Sequence, residues 1–237
     1  MRIKETGNPE KIRHKMCAFV STGLSRVAEA TLAKPTLQGV LVSWYSLVAV
    51  GLSAATLSSL THTKSFLRLP AGKDGTSTGS RCQGPISSAP NQHLGSIRFL
   101  KTLCRCLIVP AYAEEAFWRC FVHPPPTTLP IFQWATCTIL KILTVNMAFT
   151  AYHPIVGIIV WDYLPTKWGM STLHRPGVSR IFSDPAFLVL TFILGTACSV
   201  AYMLSGGGLY APVFIHGVAV AVWLEGLGGA DALRGQT

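Results

Sequence analysis

The chain has 237 residues, 49% of them hydrophobic and only 13% charged, with a net charge of +10. A charged fraction so far below the roughly 25% usual in soluble domains excludes an ordinary water-soluble globule and points to a membrane protein. Its basic residues cluster in the first 35 positions and between Lys64 and Lys101, beside apolar runs, as lipid-facing anchors do; no RNA- or DNA-binding motif accompanies them, so nucleic acid is excluded as a partner.

Residues 1–36 form a basic N-terminal segment in which Arg26 and Glu29 interrupt the apolar stretch that begins at Cys17. A secretory signal does not tolerate such a break, and Glu5, Glu10 and Glu29 are too many acids for a good organelle transit peptide. Targeting therefore stays open. Leu37 to Leu60 carries no charge and is long enough to cross about 30 Å of hydrocarbon as a helix. Residues 61–96 are rich in Gly, Ser and Pro and are expected to be a flexible polar loop.

Residues 97–227 are expected to form the membrane-embedded core, with 228–237 as a tail. Thr102 to Val122 is helical in character but holds Arg105, Glu114, Glu115 and Arg119, and Pro110 should start or kink the part that carries the glutamates. The prolines of "HPPPTTLP" end it. Ile131 to His153 is the next span, with Lys141 its single charge; Pro154 to Pro185 reads as a polar connection whose "IVGIIVW" patch lies in the interface or re-enters. Ala186 to Leu204 is uncharged, "SGGG" breaks it, and Leu209 to Leu224 is a shorter last span around His216. The fold class is all-α: a multi-pass transmembrane helical bundle with about five membrane segments. Basic residues fall in similar number on both sides of that threading, so sidedness stays open.

The seven cysteines include no C-x-x-C pair and give neither a disulfide framework nor a zinc ribbon; they read as small apolar fillers.

A charge at mid-bilayer costs about 2.5–3.5 kcal/mol on insertion scales, so those in the apolar segments need a reason. Glu115 and Arg119 are four apart, acid before base, and make a structural ion pair on one helix face. Glu114 lies about 100° away round the helix, with Pro110 and Trp118 as its neighbours four residues off and no cation to neutralise it. Such a carboxylate suits general-base work, unless it snorkels from a helix end. His153, one turn after Phe149, is an interfacial histidine if taken alone, and His216 a core histidine bonded to another helix. Taken together, the three come from three apolar segments and have a common use only if they converge on one wet cavity. A glutamate and two imidazoles around a water are the chemistry of peptide-bond hydrolysis.

Three motifs in order, "EEAFWR" at Glu114 to Arg119, "FTAYH" at Phe149 to His153 and "HGVAV" at His216 to Val220, resemble those of the CAAX prenyl protease and bacteriocin-processing (CPBP) intramembrane peptidases. The family's pattern is E-E-x-x-x-R, F-x-x-x-H and H-x-x-x-N or a variant. The likeness runs from about Leu103 to Leu224, and "YHP" and "DPAFL" look most like a bacterial or cyanobacterial-type branch, which leaves a plastid or other organellar membrane open in a eukaryote. The resemblance implies a glutamate-type endopeptidase acting on membrane-associated proteins or peptides. Glu114 would be the base, Glu115 and Arg119 would orient its helix, and His153 and His216 would polarise the water and the substrate carbonyl. No metal is required by that mechanism, though a glutamate with two histidines also suits zinc.

Val220 stands where the family pattern often has Asn, and it cannot donate to an oxyanion. Asn146, two turns before His153, is a candidate substitute. The departure keeps a catalytically inactive scaffold of the same fold as the alternative, with a small transporter or metal-binding protein as a third reading. On the peptidase reading, the cavity is expected to be bounded by the Phe149 and Trp118 rings, with Val220 pointing towards it.

Overall fold

The computed structural model describes residues 9–61, 92–123, 131–169 and 176–233. Among them every regular element is helical, and the protein is an all-α membrane bundle. The loop expected over residues 61–96 falls almost wholly outside the described residues, as does most of "HPPPTTLP".

Helix α1 (Pro9–Leu32) is followed by α2 (Leu37–Thr61). The glutamate-bearing segment begins with α3 (Gln92–Cys106), passes through a π-helical stretch (Leu107–Tyr112), one α turn, α4 (Ala113–Glu115), and a second π-helical stretch (Ala116–Val122). Next come α5 (Ile131–Val156), a third π-helical stretch (Gly157–Tyr163) and α6 (Leu164–Lys167). The rest is α7 (Pro176–Phe182), α8 (Pro185–Leu204), α9 (Tyr210–Gly226) and α10 (Gly229–Leu233).

Pro110 does not start the helix but lies within a π-helical stretch of it. The expectation at Pro154 is corrected, for the segment expected as a connection after His153 continues helically to Lys167. A proline removes one N–H donor and crowds the preceding turn. In both places the chain winds wider nearby, in a π-helical stretch, and so keeps its helical course.

Three helical spans are long and apolar enough to cross a membrane: Leu37–Thr56, Thr138–Lys167 and Pro185–Leu204. Tyr210–Gly226 is apolar but shorter. α8 and α9 are the hub: α8 packs on α2, α5 and α9, and α9 also meets α2, α3, the first π-helical stretch and α10. Their contact sets the small residues Cys198, Ala201 and Ala211 beside Ile215, and the small ones let the two backbones approach. Large apolar side chains of α2, such as Leu37, Trp44, Tyr45 and Leu52, point outwards instead, as a lipid-facing surface requires.

The ends of α8 explain its placement. Asp184 Oδ1 accepts from the backbone N–H of Ala186 (2.8 Å) and Phe187 (3.3 Å), with Pro185 at the first helical position. At the other end Gly206 and Gly207 have φ of 72° and 90°, a left-handed backbone that favours glycine, and this reverses the chain into α9. The N-terminal segment is also part of the packing: α1 lies on the second π-helical stretch. Arg26 Nη2 donates to the carbonyls of Arg119 (3.0 Å) and His123 (2.8 Å) and lies 3.4 Å from the Tyr202 hydroxyl.

Candidate active site

The two adjacent glutamates have opposite surroundings. Glu115 is fully buried and both its oxygens are engaged: Oε2 accepts from Arg119 Nε at 2.6 Å, and Oε1 from His216 Nδ1 at 2.9 Å. The ion pair expected from the four-residue spacing is present, and it extends across helices. Arg119 Nη1 donates to Ser199 Oγ (2.5 Å) and lies 3.4 Å from Asn146 Oδ1, while Nη2 donates to the carbonyl of Gly195 at 3.2 Å. Ser199 donates on to Asn146 Oδ1 (3.2 Å), and Asn146 Nδ2 to Thr196 Oγ1 (3.3 Å). A buried guanidinium has five N–H groups to satisfy, and this network supplies acceptors from three helices. Gly195 permits the approach: a Cβ there would stand 2.8 Å from the Phe149 ring and 3.0 Å from Asn146 Oδ1.

Glu114 faces the other way. It lines a cavity of about 370 Å³ shared by Phe149, His153, Thr191, His216 and Val220. Its Oε2 is enclosed without a hydrogen-bond partner and stands 3.9 Å from His216 Nε2. That gap is too long for a direct hydrogen bond and suits a bridging water. The structure therefore brings Glu114, His153 and His216 to one cavity, although they come from α4, α5 and α9.

Each histidine is held by its Nδ1. In His153, Nδ1–H donates to the Phe149 carbonyl at 2.9 Å; in His216, Nδ1–H donates to Glu115. Nε2 is thus the nitrogen left for chemistry in both rings, and in their neutral forms both present an acceptor there. The Phe149 ring sits between them, edge-on, with centroids 4.8 Å from His153 and 6.2 Å from His216. Phe182 and Phe187 close on His153 at 5.5 and 5.6 Å.

Two expectations fail in detail. Trp118 is not among the cavity residues; it packs edge-on behind Phe149 at 5.6 Å. The wider π winding that begins at Ala116 turns it off the face of Glu114. Asn146 does not reach the cavity either, because its amide is committed to Arg119, Ser199 and Thr196. Val220 does line it, one turn beyond His216. Sequence reasoning missed Ser199, Gly195, Phe187 and Arg26. The one available signal was Gly195 with Ser199, a small pair four apart on an uncharged helix that a buried arginine needs as a partner.

Among the described residues no three His, Cys, Asp or Glu side chains are grouped as a set of metal ligands. No curated protein and no solved structure matches the chain. A family model described as "Type II CAAX prenyl endopeptidase Rce1-like" matches residues 96–222, more than half of the chain and the whole stretch from α4 to the last cavity residues of α9's first three turns. The motif resemblance and the family match coincide, and the chain belongs to the Rce1-like family of type II CAAX prenyl endopeptidases.

Proposed function

We propose that the protein is a multi-pass intramembrane endopeptidase that hydrolyses peptide bonds of membrane-associated proteins or peptides. The observation that carries this reading is the division between the glutamates: Glu115 is saturated, and Glu114 keeps an unpartnered oxygen on a cavity lined by two histidines. Glu114 takes a proton from water as the water oxygen attacks the scissile carbonyl carbon. His216 accepts the water's other O–H at Nε2, and His153 lines the same cavity beside it. When the tetrahedral intermediate collapses, the C–N bond breaks and Glu114 returns the proton to the leaving amine. The chemistry uses water and needs no cofactor.

The test is a cleavage assay of detergent-purified protein against a peptide library, wild type beside Glu114→Gln. Cleavage that is lost in the variant, with folding unchanged, supports the proposal; cleavage that survives it rejects Glu114 as the base. One observation favours a second reading, a catalytically inactive protein of this fold that binds a partner: Val220 occupies the cavity wall where the family pattern often has a donor. Absence of any cleavage by the wild type selects that reading.

A further inference from the structure

The cavity lining carries the acceptors of Glu114 and the two Nε2 atoms, and also Arg105, an exposed residue, and the indole of Trp223. Hydrolysis also needs a donor for the carbonyl oxygen, on which negative charge develops, and Val220 cannot be one. We infer that the hydroxyl of Thr191 is that donor, a catalytic residue that takes over the task left vacant at Val220. The inference rests on the peptidase reading.

Thr191 is 6% exposed and lines the cavity. Several other helical threonines of this protein turn their hydroxyls back to the carbonyl four residues earlier, as Thr31 does to Val27, Thr144 to Leu140 and Thr196 to Phe192, whereas Thr150 of α5 is enclosed without a partner. Thr191 makes no such bond, and among the described residues its hydroxyl has no hydrogen-bond partner. It is not among the enclosed unsatisfied atoms either, as expected of a group that opens on the cavity. A buried hydroxyl that forgoes the local bond keeps its proton for something else.

Its position on α8 fits the task. Residues four apart share a helix face, so Thr191 lies between Phe187 and Gly195. Phe187 packs on His153, and Gly195 packs on Phe149, the ring that separates the two histidines. Thr191 is therefore aimed at the same space as His153 and His216. Val220 borders it: both residues line the catalytic cavity and also a smaller apolar one of about 100 Å³ next to it. In the attack step the water oxygen bonds to the carbonyl carbon, a water proton passes to Glu114, and the carbonyl π pair moves onto oxygen. That oxygen accepts the Thr191 O–H. On collapse the pair returns, the C–N bond breaks, and the proton leaves Glu114 for the amine.

The experiment uses full-length detergent-purified protein and an internally quenched peptide selected from a library by wild-type cleavage. Thr191→Val keeps the shape and removes the hydroxyl. We expect kcat to fall about 10²–10³-fold with KM unchanged, the loss found when one oxyanion donor is removed. Thr191→Ser, which keeps the hydroxyl, should stay within about tenfold of wild type. Because Thr191→Val can disturb packing, Thr191→Ser and Thr191→Ala are also compared at equal folded fraction. The inference requires Ser to exceed Ala by at least about tenfold in kcat, and equal values overturn it. A wild type that cleaves, is silenced by Glu114→Gln and is unaffected by Thr191→Val overturns this inference alone. A wild type that cleaves nothing overturns the peptidase reading and this inference together.

Discussion

Behind the glutamate helix, against α5 and α8, polar groups close on one another: Glu115, Arg119, Ser199 and Asn146 form a bonded set in which each member has a partner. In front of it, Glu114, His153 and Thr191 line the cavity, and each keeps an atom without a partner. The two regions meet at His216, whose Nδ1 belongs to the first and whose Nε2 belongs to the second. The contrast teaches how a membrane bundle accommodates a reactive site. Charges that serve the fold are tied into a bonded set, and this set holds in place a few groups that are left incomplete.

The sharpest break of that contrast is Glu114→Gln. It should lower turnover by about 10⁴-fold while the thermal midpoint in detergent stays within a few degrees, as read by peptide cleavage beside a melting curve. A parallel fall in stability would place Glu114 with the structural set. Arg119→Leu acts on the other side. Removing one partner of a buried pair typically costs about 3–5 kcal/mol, so this variant should melt far lower or fail to accumulate folded, whatever its substrate. Glu115→Gln sits at the junction and is expected to weaken both stability and turnover, since Arg119 loses its counter-charge and His216 its anchor. Retention of both would show that the pair does not organise the site.

A smaller effect is expected at the edge of the structural region. Arg26→Gln removes a guanidinium that donates to two main-chain carbonyls, and bonds of this charge-assisted kind are worth about 1.5–3 kcal/mol. Stability should drop by about 2 kcal/mol in denaturant or thermal melts. An unchanged midpoint would make the contact incidental.

Much of this was readable from local sequence, where the cause is local. The absence of charge from Ala186 to Leu204 is enough to define α8, and the i, i+4 spacing is enough to pair Glu115 with Arg119. The convergence of Glu114, His153 and His216 followed from the expense of leaving such groups in apolar segments. What stayed hidden depends on neighbours or on helix winding. Nothing in the "FTAYHP" stretch announces that the chain stays helical past Pro154, because a switch to π winding is not a residue preference. The same switch moved Trp118 off the expected face. Asn146 was placed on the right helix but given the wrong task, since its partner Arg119 comes from elsewhere in the chain.

Arg26 lies far outside the matched stretch of residues 96–222, yet its guanidinium closes the carbonyl end of the helix that carries the glutamates. The family boundary is thus not a packing boundary here. A fragment cut to the matched residues would expose the carbonyls of Arg119 and His123, together with the apolar patch that Ala30 and Val27 cover on Ala116 and Cys120. Packing in this protein runs through space rather than along the chain: the first helix lies against a segment whose recognisable signature begins only after α2 has passed.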